Sequence, residues 1–349
     1  MTIKEIAKLA GVSSAAVSRY LNGGYVSDEK KEQIKKVIDE TGYQPSAQAR
    51  MLRTKKACLI GVVVPKINAE SISRITAGIE KVLSERNYQR LLAGTDNTPA
   101  KEIEYMRLFE NYPVDGIILV GTMITAEYRR FLKESKVPVV VIGQHTKYAN
   151  WIYHDDYGAG EAMGCAVAAK SRKEIAYIGV SREDKAAGAA REDGFREGLK
   201  RSGKELKDGY YKVAEFTTES GYEKVLELLN EKHDIDIISG ATDTIAAGAI
   251  EAIHTYAGSQ IPKNVEDTGS RFRYILENTS IQVTGFGDNQ LLKAVTGGIP
   301  TVHFGYKTSG IRGAELLLDV IERDESIPVE IKLGFRLANI DDPEEKIED

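Results

Sequence analysis

From residue 58 onward, short apolar runs without helical period alternate with amphipathic segments, and this alternation limits the possible folds more than any other feature of the chain. CLIGVVVP (58–65) is apolar on both faces and reads as a buried parallel strand. SRITAGIEKVLSERNY then places its apolar residues at helical spacing. The exchange repeats through RLLAGT, AKEIEYMRLFENYP, VDGIILVGT, AEYRRFLKES and VPVVVIGQ. It resumes with YGAGEAMGCAVAAKS, IAYIGVS, REDGFREGLKRSG, YKVAEFT, GYEKVLELLNE, DIISGATD, a helix through AIEAIHTY, and IQVTGFGD. Such alternation builds doubly wound α/β sheets that bind ligands at the carboxyl ends of their strands. About ten strands predict two sheets rather than one.

The first 57 residues read differently. Ile3, Ile6, Ala7 and Ala10 recur at helical spacing, with Thr2 placed to cap them, and Gly11 stops the helix. Ser13 can cap a second helix, SSAAVSRYLN, that buries Val17 and Leu21. A third, SDEKKEQIKKVIDETG, is capped by Ser27, ends at Gly42 and closes a three-helix core with Ile34, Val37 and Ile38. Two short helices joined through a glycine turn form a helix-turn-helix. The second exposes Ser14, Ala15, Ser18 and Arg19, small or hydrogen-bonding residues suited to base edges and phosphates. Charge supports a polyanion partner for this region alone. Residues 1–57 carry eleven Lys/Arg against six Asp/Glu, a net of +5, while the remainder carries -10.

IKEIAKLAGVSSAAVSRYLN resembles, nearly residue for residue, the A-x-x-A-G-V-S-x-x-T-V-S-R-x-x-N signature of the LacI/GalR repressors. Ala16 stands where that family usually has Thr, which removes a hydroxyl and one potential phosphate contact. The resemblance implies a head (1–44) whose DNA-contacting residues are Thr2, Ser13, Ser14, Ala15, Ser18, Arg19, Asn22 and Tyr43. It implies a hinge helix (45–57) that orders on operator DNA, with Ala49 and Leu52 at the minor groove and Leu52 as the wedge. An ordinary linker helix is the alternative, although Arg50, Arg53, Lys55 and Lys56 around Leu52 favour DNA. The core is then expected to be periplasmic-binding-protein-like, with subdomains at 58–152 plus 304–334 and at 153–303 plus 335–345.

The same resemblance carries effector contacts onto Arg191, Phe216, Thr242 and Asp243; Tyr306, at the subdomain crossing, and Gln144 and His145, after a strand end, are expected to line the same cleft. Arg191 matches the Arg of R-x-x-G-F, and its planar fork suits vicinal hydroxyls or a phosphate, although a surface ion pair would explain it too. For Asp243 the alternative is a helix N-cap, and for Phe216 a core residue. The stretch Gly285-Phe286-Gly287-Asp288 departs from the family's V-x-G-F-D by placing Gly287 at the acid. Residues 264–280 make the loop before that stretch longer than usual. GQH, HDDYGAG and IGVSREDKAAGAAR are most similar to the sucrose-operon repressor branch, with the trehalose repressor branch next. The effector class implied is a small sugar or sugar phosphate, such as sucrose, its 6-phosphate, fructose or trehalose 6-phosphate.

Other classes fit less well. Gly158, Gly160 and Gly164 mimic a dinucleotide fingerprint, with Glu183 and Asp184 some 20 residues on, but the spacing is GxGxxxG after a polar HDDY. His154, Asp155 and Asp156 adjoin on one loop and make a poor metal sphere or acid/base set. No catalytic motif, metal or cofactor is expected, and Cys58 and Cys165 are read as core residues. A start without an apolar leader predicts a cytoplasmic protein, so a periplasmic sugar-binding protein is disfavoured. The expected assembly is a homodimer on a near-palindromic operator, without membrane association. The acidic tail DDPEEKIED shows no heptads, so no tetramer is expected. A family regulator using a phosphocarrier protein or a sugar as corepressor remains the functional alternative.

Overall fold

The computed structural model describes residues 1–43, 56–232, 234–259, 280–323 and 327–340. Ala49 and Leu52, most of the long loop at 264–280 and the tail after 340 lie outside the described residues. The chain divides into two compact units, Met1–Leu59 with Pro113–Asp115, and Ile60–Tyr112 with Gly116–Asp349.

In the first unit, helices α1 (Ile3–Leu9), α2 (Ser14–Leu21) and α3 (Asp28–Thr41) enclose Ile6, Val17 and Ile34, which are fully buried. Val37, Ile38 and Leu21 pack against that cluster at its edge. Thr2 and Glu5 form a reciprocal capping box, and Ser13 accepts the Ala16 N–H at 3.2 Å. Ser27 holds the N-cap position of α3 but its hydroxyl makes no capping bond, contrary to expectation. The acidic first turn, Asp28 and Glu29, supports that helix start instead. Gly42 ends α3 in the left-handed conformation at φ 61°, which a residue with a Cβ adopts only with strain.

The second unit holds two six-stranded sheets. One comprises β1 (Leu59–Val64), β2 (Gln89–Gly94), β3 (Gly116–Val120), β4 (Val139–Ile142), β5 (Asn150–His154) and β11 (Glu330–Leu333), in the order β11-β5-β4-β3-β1-β2. The other comprises β6 (Glu174–Gly179), β7 (Tyr211–Val213), β8 (Ile235–Gly240), β9 (Gln282–Phe286), β10 (Thr301–Phe304) and β12 (Phe335–Ala338), in the order β12-β10-β9-β8-β6-β7. Strands β1, β3, β4, β5 and β11 pair in parallel, and β12 runs antiparallel to β10. The chain therefore leaves the first lobe after β5, returns after β10 and crosses once more between Leu333 and Phe335.

The described residues form twelve strands, more than the alternation suggested. Thr301–Phe304, Glu330–Leu333 and Phe335–Ala338 are four residues each, and Glu330, Lys332 and Arg336 interrupt their apolar pattern. A second departure is the wide turn Lys185–Ala190, in which the Ala189 N–H bonds the Asp184 carbonyl five residues back at 2.8 Å. Turns of this kind concentrate at functional sites. Cys58 and Cys165 are half-buried free thiols rather than full core residues.

Helices Asp156–Lys170 and Arg191–Arg201 of the second lobe lie backbone against backbone. A Cβ at Gly160 would fall 2.2 Å from the Arg191 carbonyl oxygen, and one at Gly194 would fall 2.0 Å from that of Tyr157. The glycine spacing that mimics a dinucleotide fingerprint is thus explained by helix packing.

Candidate functional site

The carboxyl ends of both sheets face a cleft of about 220 Å3 between the lobes. Residues just past β1, β3, β4 and β8 reach it, among them Pro65, Gly121, Gln144 and Thr242. Helix starts supply further groups: Glu70, Asp156, Arg191, Asp243 and Tyr306 each begin a helix.

Arg191 is only 6% exposed, which removes the surface ion-pair reading. Its Nε donates to Asp156 at 2.7 Å and its Nη1 to the Ala241 carbonyl at 2.8 Å. The guanidinium lies 4.9 Å from the Phe304 ring centre and 5.3 Å from that of Phe286. Burial opposes its charge, but the Asp156 carboxylate more than offsets this and holds the guanidinium's pKa above its usual value.

Asp243 is buried and accepts from Thr301 Oγ1 at 2.6 Å and from the Asn289 N–H at 2.7 Å. Helix capping falls to its neighbour, since Thr242 Oγ1 accepts the Ile245 N–H at 3.2 Å. Burial pushes the Asp243 carboxyl upward against the lowering effect of the Thr301 bond. Where the family acid is missing, a Cβ at Gly287 would lie 3.4 Å from Asp243 Oδ2, so the Asp243 carboxylate abuts that space. Asp288, the next residue, bonds His303 Nδ1 at 2.7 Å and is not among the cleft-lining residues.

Side chains on either side of the cleft reach across it. The Gln144 amide donates to Asp184 at 3.0 Å, and Arg74 donates to the Gly287 carbonyl at 3.1 Å. Both Glu70 oxygens lie 3.2 Å from the Gln290 nitrogen and accept its N–H. Burial pushes the Asp184 carboxyl upward, opposed by the Gln144 bond.

Of the seven residues expected to read an effector, Gln144, Arg191, Phe216, Thr242, Asp243 and Tyr306 all line the cleft. His145 does not. It is exposed beyond the end of β4, its ring 5.2 Å from Trp151 and 5.9 Å from Tyr153, because the chain turns after the buried Gln144 and sends the next side chain outward. Among the cleft-lining residues not expected from the sequence are His154, Asp156 and Asp184. The first two stand in the HDDY stretch, read as a poor metal cluster or acid/base set, and Asp184 stands in the weak dinucleotide pattern. Among the described residues no cluster of three or more His, Cys, Asp or Glu could hold a metal ion.

In the helical unit, Ser14, Ala15, Arg19 and Asn22 are exposed and Ser18 is half-exposed, at positions that share one face of α2. Arg19 Nε bonds the Ala15 carbonyl at 3.4 Å, and the Asn22 amide bonds the Ser18 carbonyl. Ser13 and Thr2 hold helix starts through their hydroxyls. Tyr43 is 8% exposed and packs into the three-helix core, and Ala16 is buried there too.

Residues 2–46 match the family of bacterial regulatory proteins of the lacI type, and residues 57–331 match the periplasmic binding proteins and sugar binding domain of the LacI family. The sucrose operon repressor of Staphylococcus xylosus is 30% identical over 336 residues, 95% of this chain and 98% of that protein. Catabolite control protein A of Streptococcus mutans is 30% identical over 268 residues, 76% of this chain and 80% of that one. The crystal structure of the Lac repressor bound to ONPG superposes with a TM-score of 0.81 at 19% identity, covering 97% and 98% of the two chains. A CelR–cellobiose complex gives 0.69 at 24% identity, with the same two coverages. At these identities the structural likeness speaks for the fold. No helix among the described residues is long and apolar enough to cross a membrane.

Proposed function

We propose, since the chain belongs to the LacI family of bacterial regulatory proteins, that it is a sequence-specific repressor of a carbohydrate operon, released when a small sugar or sugar phosphate enters the cleft. The observation that carries this reading is the buried Arg191–Asp156 pair facing a cavity between two lobes. A buried ion pair stabilises a fold poorly, so its retention fits a binding role.

The mechanism is a shift between two states. A homodimer sets two copies of α2 in successive major grooves, with Ser14, Ala15, Ser18, Arg19 and Asn22 toward the bases or phosphates. Thr2 and Ser13, at their helix starts, lie toward the backbone, and Tyr43 supports the helices from inside. Ala49 and Leu52 enter the minor groove. A sugar held by Arg191, Asp243, Thr242 and Gln144, with Phe216 and Tyr306 against its ring, favours the closed cleft. It weakens DNA binding only to the extent that it prefers the closed state.

The test is a gel shift on the operon's own upstream DNA, with and without sugar. Operator affinity should fall with salt at a logarithmic slope of about -0.9 per phosphate contacted, and sugar should release the complex. A salt-independent interaction, or one that survives removal of residues 1–57, overturns the proposal.

A further inference from the structure

The cleft carries its own anions where a phosphate would bind. Its four carboxylates are Glu70, Asp156, Asp184 and Asp243, and each stands at the start of a helical segment. Asp184 accepts the N–H groups of Ala186 and Ala187 at 2.9 and 3.0 Å. Helix N-termini attract phosphate because their unpaired N–H groups and their dipoles converge there. Here Asp184 occupies such a place, and Glu70, Asp156 and Asp243, as first residues of their helices, add negative charge beside three more. The cations among the lining residues are Lys66 and Arg191, and Arg191 already bonds Asp156 and the Ala241 carbonyl.

A second observation is independent of charge. His154 lies at the end of β5, 6% exposed, lines the cleft, and its Nε2 has no hydrogen-bond partner. In a neutral imidazole with its proton on the other ring nitrogen, the unpartnered Nε2 is an acceptor. Burial lowers the imidazole's pKa, with the Asp156 charge opposing, so the ring is neutral. The rings of Phe304 and Tyr306, at 5.2 and 5.3 Å, fix its plane. A buried acceptor without a donor is costly until one arrives.

From these observations we propose that the cleft takes a neutral, unphosphorylated sugar, and that His154 Nε2 accepts the proton of one of its hydroxyl groups. Carboxylates and a neutral imidazole are acceptors, which sugar hydroxyls satisfy and a phosphate dianion does not. This specificity rests on the sugar-responsive reading above.

The test is calorimetry on the full chain with glucose, fructose, sucrose, trehalose and cellobiose, and in parallel with the 6-phosphates of glucose, fructose, sucrose and trehalose. A neutral sugar should bind, and its 6-phosphate should bind at least about 10-fold more weakly, because like charges juxtaposed at a binding site are strongly repulsive. A phosphate ester that binds as tightly as its parent overturns this inference and leaves the sugar-responsive reading standing. No binding in either set overturns both. For His154, the deoxy analogues of the bound sugar are compared. One should lose roughly 2- to 12-fold against the wild type but not against His154→Phe, and His154→Gln should restore part of the discrimination. Equal affinity of the wild type for every deoxy analogue overturns the His154 assignment, whether or not His154→Phe folds.

Discussion

The two lobes meet at one cleft but bring different chemistry to it. The second lobe contributes buried charges tied within itself: Arg191 to Asp156 and the Ala241 carbonyl, and Asp243 to Thr301 and Asn289. The first contributes mainly neutral surface, with Pro65, Ile72, Ile75, Val120, Thr122 and Gln144, and reaches across through Gln144, Glu70 and Arg74. One lobe is thus organised before a ligand arrives, and the other is held by bonds that a ligand can replace or reinforce. Preorganised polar groups bind at lower cost than groups that must first be ordered.

The strongest way to break this division is Arg191→Ala. It leaves Asp156 buried without its partner, which costs about 3–5 kcal/mol. The melting temperature should fall, and sugar should no longer release DNA. Arg191→Lys should rescue the response poorly, since a point charge cannot reproduce the fork. Thermal unfolding and operator-release titrations check both. Unchanged values would move the reading of the effector to the first lobe.

A narrower effect is expected inside the first lobe. Glu102 is fully buried, Thr122 Oγ1 donates to its Oε1 at 3.0 Å, and Oε2 has no partner. Burial pushes this carboxyl up to about 8, against the opposing bond from Thr122 and the nearby Thr95 hydroxyl. A raised carboxyl gives stability that is complete below its unfolded value of 4.5 and lost as pH rises through about 8. Glu102→Gln cannot ionise, so it should be about 3–5 kcal/mol more stable than the wild type at pH 8 and show little difference at pH 4. Urea unfolding at both pH values decides. Equal stability at pH 8 would mean that the first lobe, too, holds a paired charge.

The smallest effect belongs to the crossing bond. Gln144→Ala should weaken sugar binding by roughly 2- to 12-fold while leaving the melting temperature within about 2 °C, since one neutral-donor bond is worth about 0.5–1.5 kcal/mol. A stability loss larger than that of Arg191→Ala would invert the comparison.

The strand–helix alternation was legible because the central strands β1, β3, β4, β6 and β8 are buried on both faces, and an apolar run has few other readings. Strands β10, β11 and β12 were not, because they are short and polar residues such as His303, Glu330, Lys332 and Arg336 break their apolar pattern. In the site, Arg191, Thr242 and Asp243 were found through matched motifs. Asp156 and His154 were overlooked because adjacent polar residues on one stretch suggested a shared role, whereas a strand end turns one inward and its neighbour out. His145 failed for the same reason in reverse: it follows Gln144 by one residue, and one residue changes the face.

The backbone contact between helices Asp156–Lys170 and Arg191–Arg201 has a genetic consequence. A Cβ at Gly164 would fall 2.3 Å from the Phe195 carbonyl oxygen, and one at Gly198 would fall 2.1 Å from that of Glu161, so the seam is interlocked along its length. Asp156 and Arg191 are the first residues of these two helices. A methyl group anywhere along the seam would spread the helices and displace the ion pair at their ends. A screen for alleles that repress but ignore sugar should therefore recover substitutions at Gly160, Gly164, Gly194 and Gly198, positions without a side chain to touch the effector. Their map would trace a line running away from the cleft rather than a ring around it.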